Sequence, residues 1–315
     1  MKQTLKLKNK STNMSMKNDA LFVNGRLVCI LDGSNFAYRA SALELRAGET
    51  QTGVIYGFCR MLLSMDKRFN FDEYYVCWDR GISPRRRKVF QNYKKKEFTD
   101  EERAKRQIIK QQMSVCEEVV QSLGLCSVII QGSEADDIIA VLAQTNIIPG
   151  HKIIVSSDRD LLQLVSKNVN VWNPITDAYI TLDNFEAVVG VKLEDYVLFR
   201  AMVGDASDRI PGVKGVGEVR ARKILTDGLE SILGRNDNLS KMVKENLNRI
   251  ADNCELISLS RVLDDADFVY SVEKIVEEYK SKVHSVDFSK LDSIFESYQI
   301  KSLDVCDFER FVKTS

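Results

Sequence analysis

Short apolar runs alternate with longer amphipathic stretches through the first half of the chain. Five runs rich in β-branched residues read as strands: Leu27–Leu31 (LVCIL), Tyr74–Trp78 (YYVCW), Ser127–Ile130 (SVII), Lys152–Val155 (KIIV) and Val169–Trp172 (VNVW). Between them, Thr52–Lys67, Glu101–Leu123 and Ala135–Gln144 carry apolar residues at helical spacing. This alternation predicts an α/β fold, a largely parallel sheet with helices on both faces. Ala178–Thr181 is expected to add a last short strand. From about Asn184 the strand signals fade and helical patterns run to the end, which places a boundary near residue 185. The expected organisation is a basic tail over 1–20, a core over 21–185 and a helical region over 186–315.

Polar residues change the picture where the apolar runs stop. Nine carboxylates fall in five clusters, most of them at the carboxyl ends of predicted strands. They are Asp32 (LDGSN), Asp79 (VCWDR), Glu134, Asp136 and Asp137 (SEADD), Asp158 and Asp160 (SSDRD), and Asp205 and Asp208 (GDASD). Ligands of open parallel sheets bind beyond these strand ends. Each cluster alone has a structural explanation. Asp32 suits a helix N-cap and Asp79 a turn before Gly81. An acid among Glu134, Asp136 and Asp137 favours the dipole of the helix that follows. Asp158 and Asp160 point the same way if their segment is extended. Together, however, acids ~4 Å apart repel by ~4 kcal/mol per pair at an effective dielectric of ~20. A fold gathers them only against cations, and hard divalent ions fit an all-oxygen set. Two such ions can clamp the attacking and leaving oxygens of a phosphodiester without a protein nucleophile.

The chain has 315 residues, with 45 basic and 45 acidic side chains. Zero net charge means that a polyanion-binding protein must segregate its charges, and Arg85–Lys96 (RRRKVFQNYKKK) holds seven cations and no acid. Phe90 and Tyr93 are interleaved there, in the manner of aromatics that stack on bases. Only His151 and His284 occur, both expected at the surface, so chemistry built on histidine pairs or a Ser–His–Asp triad is disfavoured. Seven cysteines stand singly, without a CxxC pair, and read as reduced thiols of a cytoplasmic protein. No apolar stretch approaches a membrane span, and the first 18 residues carry five lysines and no acid, unlike a secretion signal.

A second basic motif follows the last acids. In Ile210–Leu225 (IPGVKGVGEVRARKIL), Gly212, Gly215 and Gly217 permit a tight turn and close backbone approach. The helix expected from Glu218 aims its free N–H groups at an anion, and Lys214, Arg220, Arg222 and Lys223 add charge. The Walker pattern GxxxxGK[ST] is absent. The repeated G-V-x-G-V-G form suits a helix–hairpin–helix, at about 204–225, that tracks a DNA strand by its backbone.

Taken together, LDGSNFAYRA, EADDIIAVLA, SSDRDLLQLV and GDASDRIPGVKGVGEVRARKIL resemble, in order, blocks of the structure-specific 5′ nuclease (flap endonuclease) family. That family includes bacteriophage 5′-exonucleases and the 5′-nuclease domain of bacterial DNA polymerase I. The resemblance covers about Leu27–Leu225. It implies a PIN-like core, a helical arch or clamp at about 80–115 and a helix–three-turn–helix module. Residue by residue, it implies a first metal site of Asp32, Asp79, Glu134 and Asp136, supported by Asp137, and a second of Asp158, Asp160, Asp205 and Asp208. Arg86 and Lys94 match the pair that grips the scissile phosphate, and Tyr38 matches an aromatic that stacks on a terminal base pair. Arg85, Arg87 and Lys95 are expected on DNA, with Gly212, Lys214, Gly215, Gly217, Arg220 and Lys223 on the duplex.

The implied activity is 5′–3′ exonuclease and flap endonuclease cleavage with two or more Mg²⁺ (Mn²⁺ substituting), K⁺ at the hairpin, and removal of RNA primers or flaps in replication. A free-standing monomer of the phage type, with DNA and a single-strand-binding or other replication protein as partners, is expected. Glu97 stands where the family often has a further basic residue, and residues 226–315 offer little that matches. Two other readings remain: a non-catalytic junction-binding scaffold on the same fold, and a PIN-type ribonuclease.

Overall fold

The computed structural model describes residues 25–311; the expected tail over 1–20 lies outside the described residues. The core runs β1 (Leu27–Asp32), α1 (Gly33–Ala40), a small hairpin of β2 (Arg46–Ala47) and β3 (Thr50–Gln51), α2 (Gly53–Phe69), β4 (Glu73–Trp78), α3 (Pro84–Val89), α4 (Asp100–Ser122), β5 (Cys126–Ile129), α5 (Ala135–Gln144), β6 (His151–Val155), β7 (Val169–Asn173) and β8 (Ala178–Ile180). Six strands form one sheet in the order β5-β4-β1-β6-β7-β8, parallel except for β8. β1 is central: the chain first builds outward through β4 and β5, then crosses to β6 on the other side. The crevice outside β1, β4 and β6 is therefore the switch point of the sheet.

Strand alternation divides the core between two faces. Val28 and Ile30 of β1 join the apolar cluster around α5, whereas Leu27, Cys29 and Leu31 face α1, α2 and α4. α4 opens with a capping box, Thr99 and Glu102 each satisfying the other's backbone N–H. Gly33 is needed where β1 turns into α1, because a Cβ there would lie 2.8 Å from Val76 and 3.0 Å from Trp78.

The helical region comprises α6 (Phe185–Val189), α7 (Tyr196–Val203), a two-stranded clip of β9 (Gly204–Asp205) and β10 (Ile210–Pro211), then α8 (Glu218–Asp227), α9 (Leu229–Leu233), α10 (Asn238–Lys244), α11 (Leu247–Ile257), α12 (Ala266–Lys280) and α13 (Phe288–Ser297). Phe199, Met202, Ile250 and Val276 continue the apolar cluster that starts on the sheet at Val28. The last segment returns to the opposite face, where Leu291, Phe295, Phe308 and Phe311 join the cluster under α2 and α4. Among the described residues no helix is long and apolar enough to cross a membrane.

Two expectations are corrected. His151 is buried, 4% exposed, with Nε2 2.8 Å from the Asn170 amide, so it belongs to the sheet and not to the surface. Asp158 and Asp160 do not lie on an extended segment, because Asp160 opens a 3₁₀ turn and its N–H donates to Asp158 Oδ1 at 2.8 Å.

Candidate active site

The acids meet beyond the carboxyl ends of β1, β4 and β6. Asp32 ends β1 and does cap α1, accepting from the Asn35 N–H through Oδ1 at 3.0 Å. Its second oxygen accepts from the Ser156 hydroxyl at 2.9 Å, and that hydroxyl accepts in turn from the Asp158 N–H. Asp79 follows β4 and, rather than serving only a local turn, accepts from Ala135 N–H at 2.7 Å and so caps α5. That bond places Glu134, Asp136 and Asp137 beside the end of β4. Oxygens of these three lie within 4.8 Å of one another.

The basic segment enters this group. Arg86 is 2% exposed and donates to Glu134, to Asp136 at 3.0 Å and to the Leu256 carbonyl at 3.1 Å, with Asp137 at 3.2 Å. This differs from the expected phosphate grip at the base of an arch, since the guanidinium is spent on carboxylates and on the end of α11. Lys94, partly exposed, reaches Glu134 at 2.6 Å and Asp208 at 3.6 Å. Tyr93 is buried, and its hydroxyl lies 3.2 Å from both Glu134 and Asp208. It is therefore not a base-stacking aromatic, and Phe90 likewise packs against the core. Arg85 donates to the Glu255 and Ser258 carbonyls at 2.7 and 3.3 Å, which ties it to the end of α11 rather than to open surface. Arg87 and Lys95 are exposed as expected, and so is Tyr38, at 53%.

The remaining acids sit on the helical region's side. Arg200 of α7, 5% exposed, donates to Asp160 at 2.9 Å and to Asp205 at 2.6 Å. Asp205 Oδ1 accepts from the N–H groups of Ser207 and Asp208, closing the turn that presents Asp208. Sequence reading missed Arg200, although a lone charge inside the apolar helix YVLFRAMV was a usable signal. It also missed Ser156, whose bonds become visible only once β1 and β6 are neighbours.

Burial and mutual repulsion govern protonation. Burial, then Asp79, pushes Asp32 up from 3.8 to about 8. Burial, then Asp160, pushes Asp158 up to about 7; burial, then Asp136, raises Asp137 to about 6, and burial, opposed by Lys94, raises Asp208 to about 6. Asp136 differs: burial opposes its ionisation, but Arg86 and Lys94 overcome that and hold it below the usual value. Such an arrangement holds protons until cations replace them. The donor set consists of carboxylate oxygens, with no thiolate or imidazole, and fits a hard divalent cation.

The glycine hairpin lies beside β9 and β10. Gly204 and Gly212 pass so closely that a Cβ on Gly204 would sit 2.3 Å from Gly212 N, and one on Gly212 would sit 2.1 Å from the Val203 carbonyl oxygen. Gly215 takes φ +85° at the tip, and its carbonyl accepts from Arg220 at 2.5 Å. Gly217 precedes α8, with Lys214, Arg220 and Lys223 exposed around it.

Comparison with known proteins agrees with this geometry. Residues 27–190 match the family model described as 5′-3′ exonuclease, N-terminal resolvase-like domain, and 191–284 match 5′-3′ exonuclease, C-terminal SAM fold. A 5′-3′ exonuclease of Aquifex aeolicus is 35% identical over 282 residues, 87% of this chain and 92% of the relative. The thermostable DNA polymerase I of Thermus thermophilus is 34% identical over 247 residues, 76% of this chain but only 29% of the polymerase. In fold, the T5 5′-exonuclease with zinc ions bound superposes with a TM-score of 0.69 at 21% identity, covering 81% of this chain and 99% of that one. The catalytic core of Rad2 in complex with DNA substrate gives 0.52 at 15% identity, covering 91% of each chain.

Proposed function

The chain belongs to the 5′-3′ exonuclease family and is a nuclease, and from that premise we propose that it hydrolyses phosphodiesters of DNA at single-strand/duplex junctions with Mg²⁺, as both exonuclease and flap endonuclease. The observation that carries this reading is the convergence of nine acids from five sequence clusters beyond the ends of β1, β4 and β6. Bound divalent ions would lower the pKa of a water and stabilise the leaving oxygen. Asp32, Asp79, Glu134 and Asp136 would hold one, and Asp158, Asp160, Asp205 and Asp208 another. Mn²⁺ has the same ligand preference.

Lys94 is the most exposed of the cations paired with these acids, 31% for its side chain, and is the group placed to meet a phosphate. The exposed cations of the hairpin and the N-terminus of α8 would grip the duplex backbone, with salt-dependent affinity. Tyr38, exposed on α1, would stack on a terminal base pair. Primer or flap removal in replication is the task that such specificity fits, and a K⁺ at the hairpin carbonyls would extend its grip on phosphate.

The test is a labelled 5′-flap duplex, with matched single strands of DNA and RNA, each in Mg²⁺ or EDTA. Metal-dependent cleavage at the junction is expected. Binding without cleavage would favour a junction-binding scaffold, and preferential cutting of single-stranded RNA would favour a PIN-type ribonuclease.

A further inference from the structure

The acidic site contains two cations that are themselves almost wholly buried. Arg86 and Arg200 are 2% and 5% exposed, and they pair with different acids. Arg86 ties together Glu134, Asp136 and Asp137, all three from the start of α5. Arg200 ties Asp160, after β6, to Asp205, after α7. Each is fixed from outside the acids. Arg86 Nε donates to the Leu256 carbonyl at the end of α11, and Arg200 rides on the last turn of α7. By contrast Asp32, Asp79 and Asp158, at or just after the ends of β1, β4 and β6, have no ion-pair partner among the described residues. Their bonds come from backbone N–H groups and the Ser156 hydroxyl.

We propose that Arg86 and Arg200 are positioning residues, internal cations that hold the outer carboxylates assembled before divalent ions arrive, leaving the strand-end acids for those ions. The inference rests on the metal-dependent reading above. Its physical basis is the cost of gathering carboxylates: a buried guanidinium that satisfies several at once offsets their repulsion, and its removal leaves uncompensated buried charge. The division also assigns Arg86 a different task from Lys94. Arg86 has its donors committed to protein acceptors, whereas Lys94 keeps access to solvent. The tie from Arg86 to Leu256, and from Arg85 to Glu255 and Ser258, further makes α11 part of the frame that orders the acids.

The experiment is thermal unfolding of the full chain in EDTA and across a Mg²⁺ titration, for the wild type, Arg86→Gln, Arg200→Gln, Arg86→Lys and, as an exposed control, Arg103→Gln. The expected result is that Arg86→Gln and Arg200→Gln lose several degrees in EDTA and recover much of that loss in saturating Mg²⁺. By linkage, their half-saturating Mg²⁺ should then fall by about tenfold, because a more negative site binds the ion more tightly. Arg86→Lys should lie between them and the wild type, and the control should not move. Equal losses with and without Mg²⁺, or failure of Arg86→Gln and Arg200→Gln to fold in either buffer, would make the arginines ordinary structural residues and overturn the proposal. A wild type that gains no stability from Mg²⁺ and cuts no flap would instead overturn the metal-dependent reading itself.

Discussion

Replacing Asp32 with asparagine is expected to stabilise the metal-free protein while abolishing its hydrolysis. The Asp32 carboxyl is 6% exposed, and burial, reinforced by Asp79, raises its pKa from 3.8 to about 8. Between those values the folded protein keeps a proton that the unfolded chain releases. The stability tied to that proton is fully present below pH ~4 and is lost as pH rises through about 8. A shift of about four units, at ~1.4 kcal/mol each, puts the ceiling on that loss near ~6 kcal/mol. Asparagine carries no charge to desolvate and keeps the bond from Asn35, but its amide faces the Ser156 hydroxyl, which must turn from donor to acceptor. Allowing for that and for relaxation of neighbouring acids, a net gain of about 2 kcal/mol at pH 8 is expected, roughly 4–6 °C in midpoint. At pH 4 the two proteins should nearly coincide. Saturating Mg²⁺ should reverse the order, because the wild type gains from the ion and the variant has lost a ligand. Scanning fluorimetry at pH 4 and 8, in EDTA and in Mg²⁺, reads all of this. A variant less stable than the wild type in EDTA at pH 8 would refute the premise that the buried carboxylate is a standing cost.

Three further substitutions separate chemistry, grip and scaffold. Lys94→Ala should slow cleavage by roughly a hundredfold or more while leaving junction affinity in Ca²⁺ nearly unchanged; equal losses in both would reduce Lys94 to a docking residue. Gly212→Ala drives a Cβ to 2.1 Å from the Val203 carbonyl oxygen, so it should open the β9–β10 clip and weaken duplex binding, as measured by fluorescence anisotropy. Unchanged affinity would detach the hairpin from DNA recognition. Phe308→Ala removes a fully buried ring beside Phe295 and Phe311, and should cost ~3–5 kcal/mol in urea unfolding with little change in turnover at low temperature. A loss below 1 kcal/mol, on the same scale, would show that the final segment adds no core.

Local pattern carried the sheet, because strand and helix periods are properties of neighbouring residues. Ala135–Gln144 is a helix as its spacing predicts, and KIIV lies within β6. Asp32, Asp79, Glu134, Asp136 and Asp137 were legible for the same reason: each follows its strand or opens its helix directly, so its place at the sheet's carboxyl end needs no knowledge of distant contacts, whereas Asp205 and Asp208 reach the site only through the packing of α7. The identity of their partners was not legible. Arg86 meets Glu134 across 48 residues and Leu256 across 170, so a cation read as reaching outward to phosphate is instead enclosed by α5 and α11. Tyr93 looked like a stacking ring in a basic segment until Asp208, 115 residues on, supplied an acceptor for its hydroxyl. His151 has the composition of a surface residue, and only the pairing of β6 with β7 puts Asn170 beside its ring. Sequence alone thus picked out the candidate acids and the end of the sheet at which most of them stand. The tertiary structure decided which charges cancel, because that depends on distances between segments that hydrophobic packing, not local propensity, brings together.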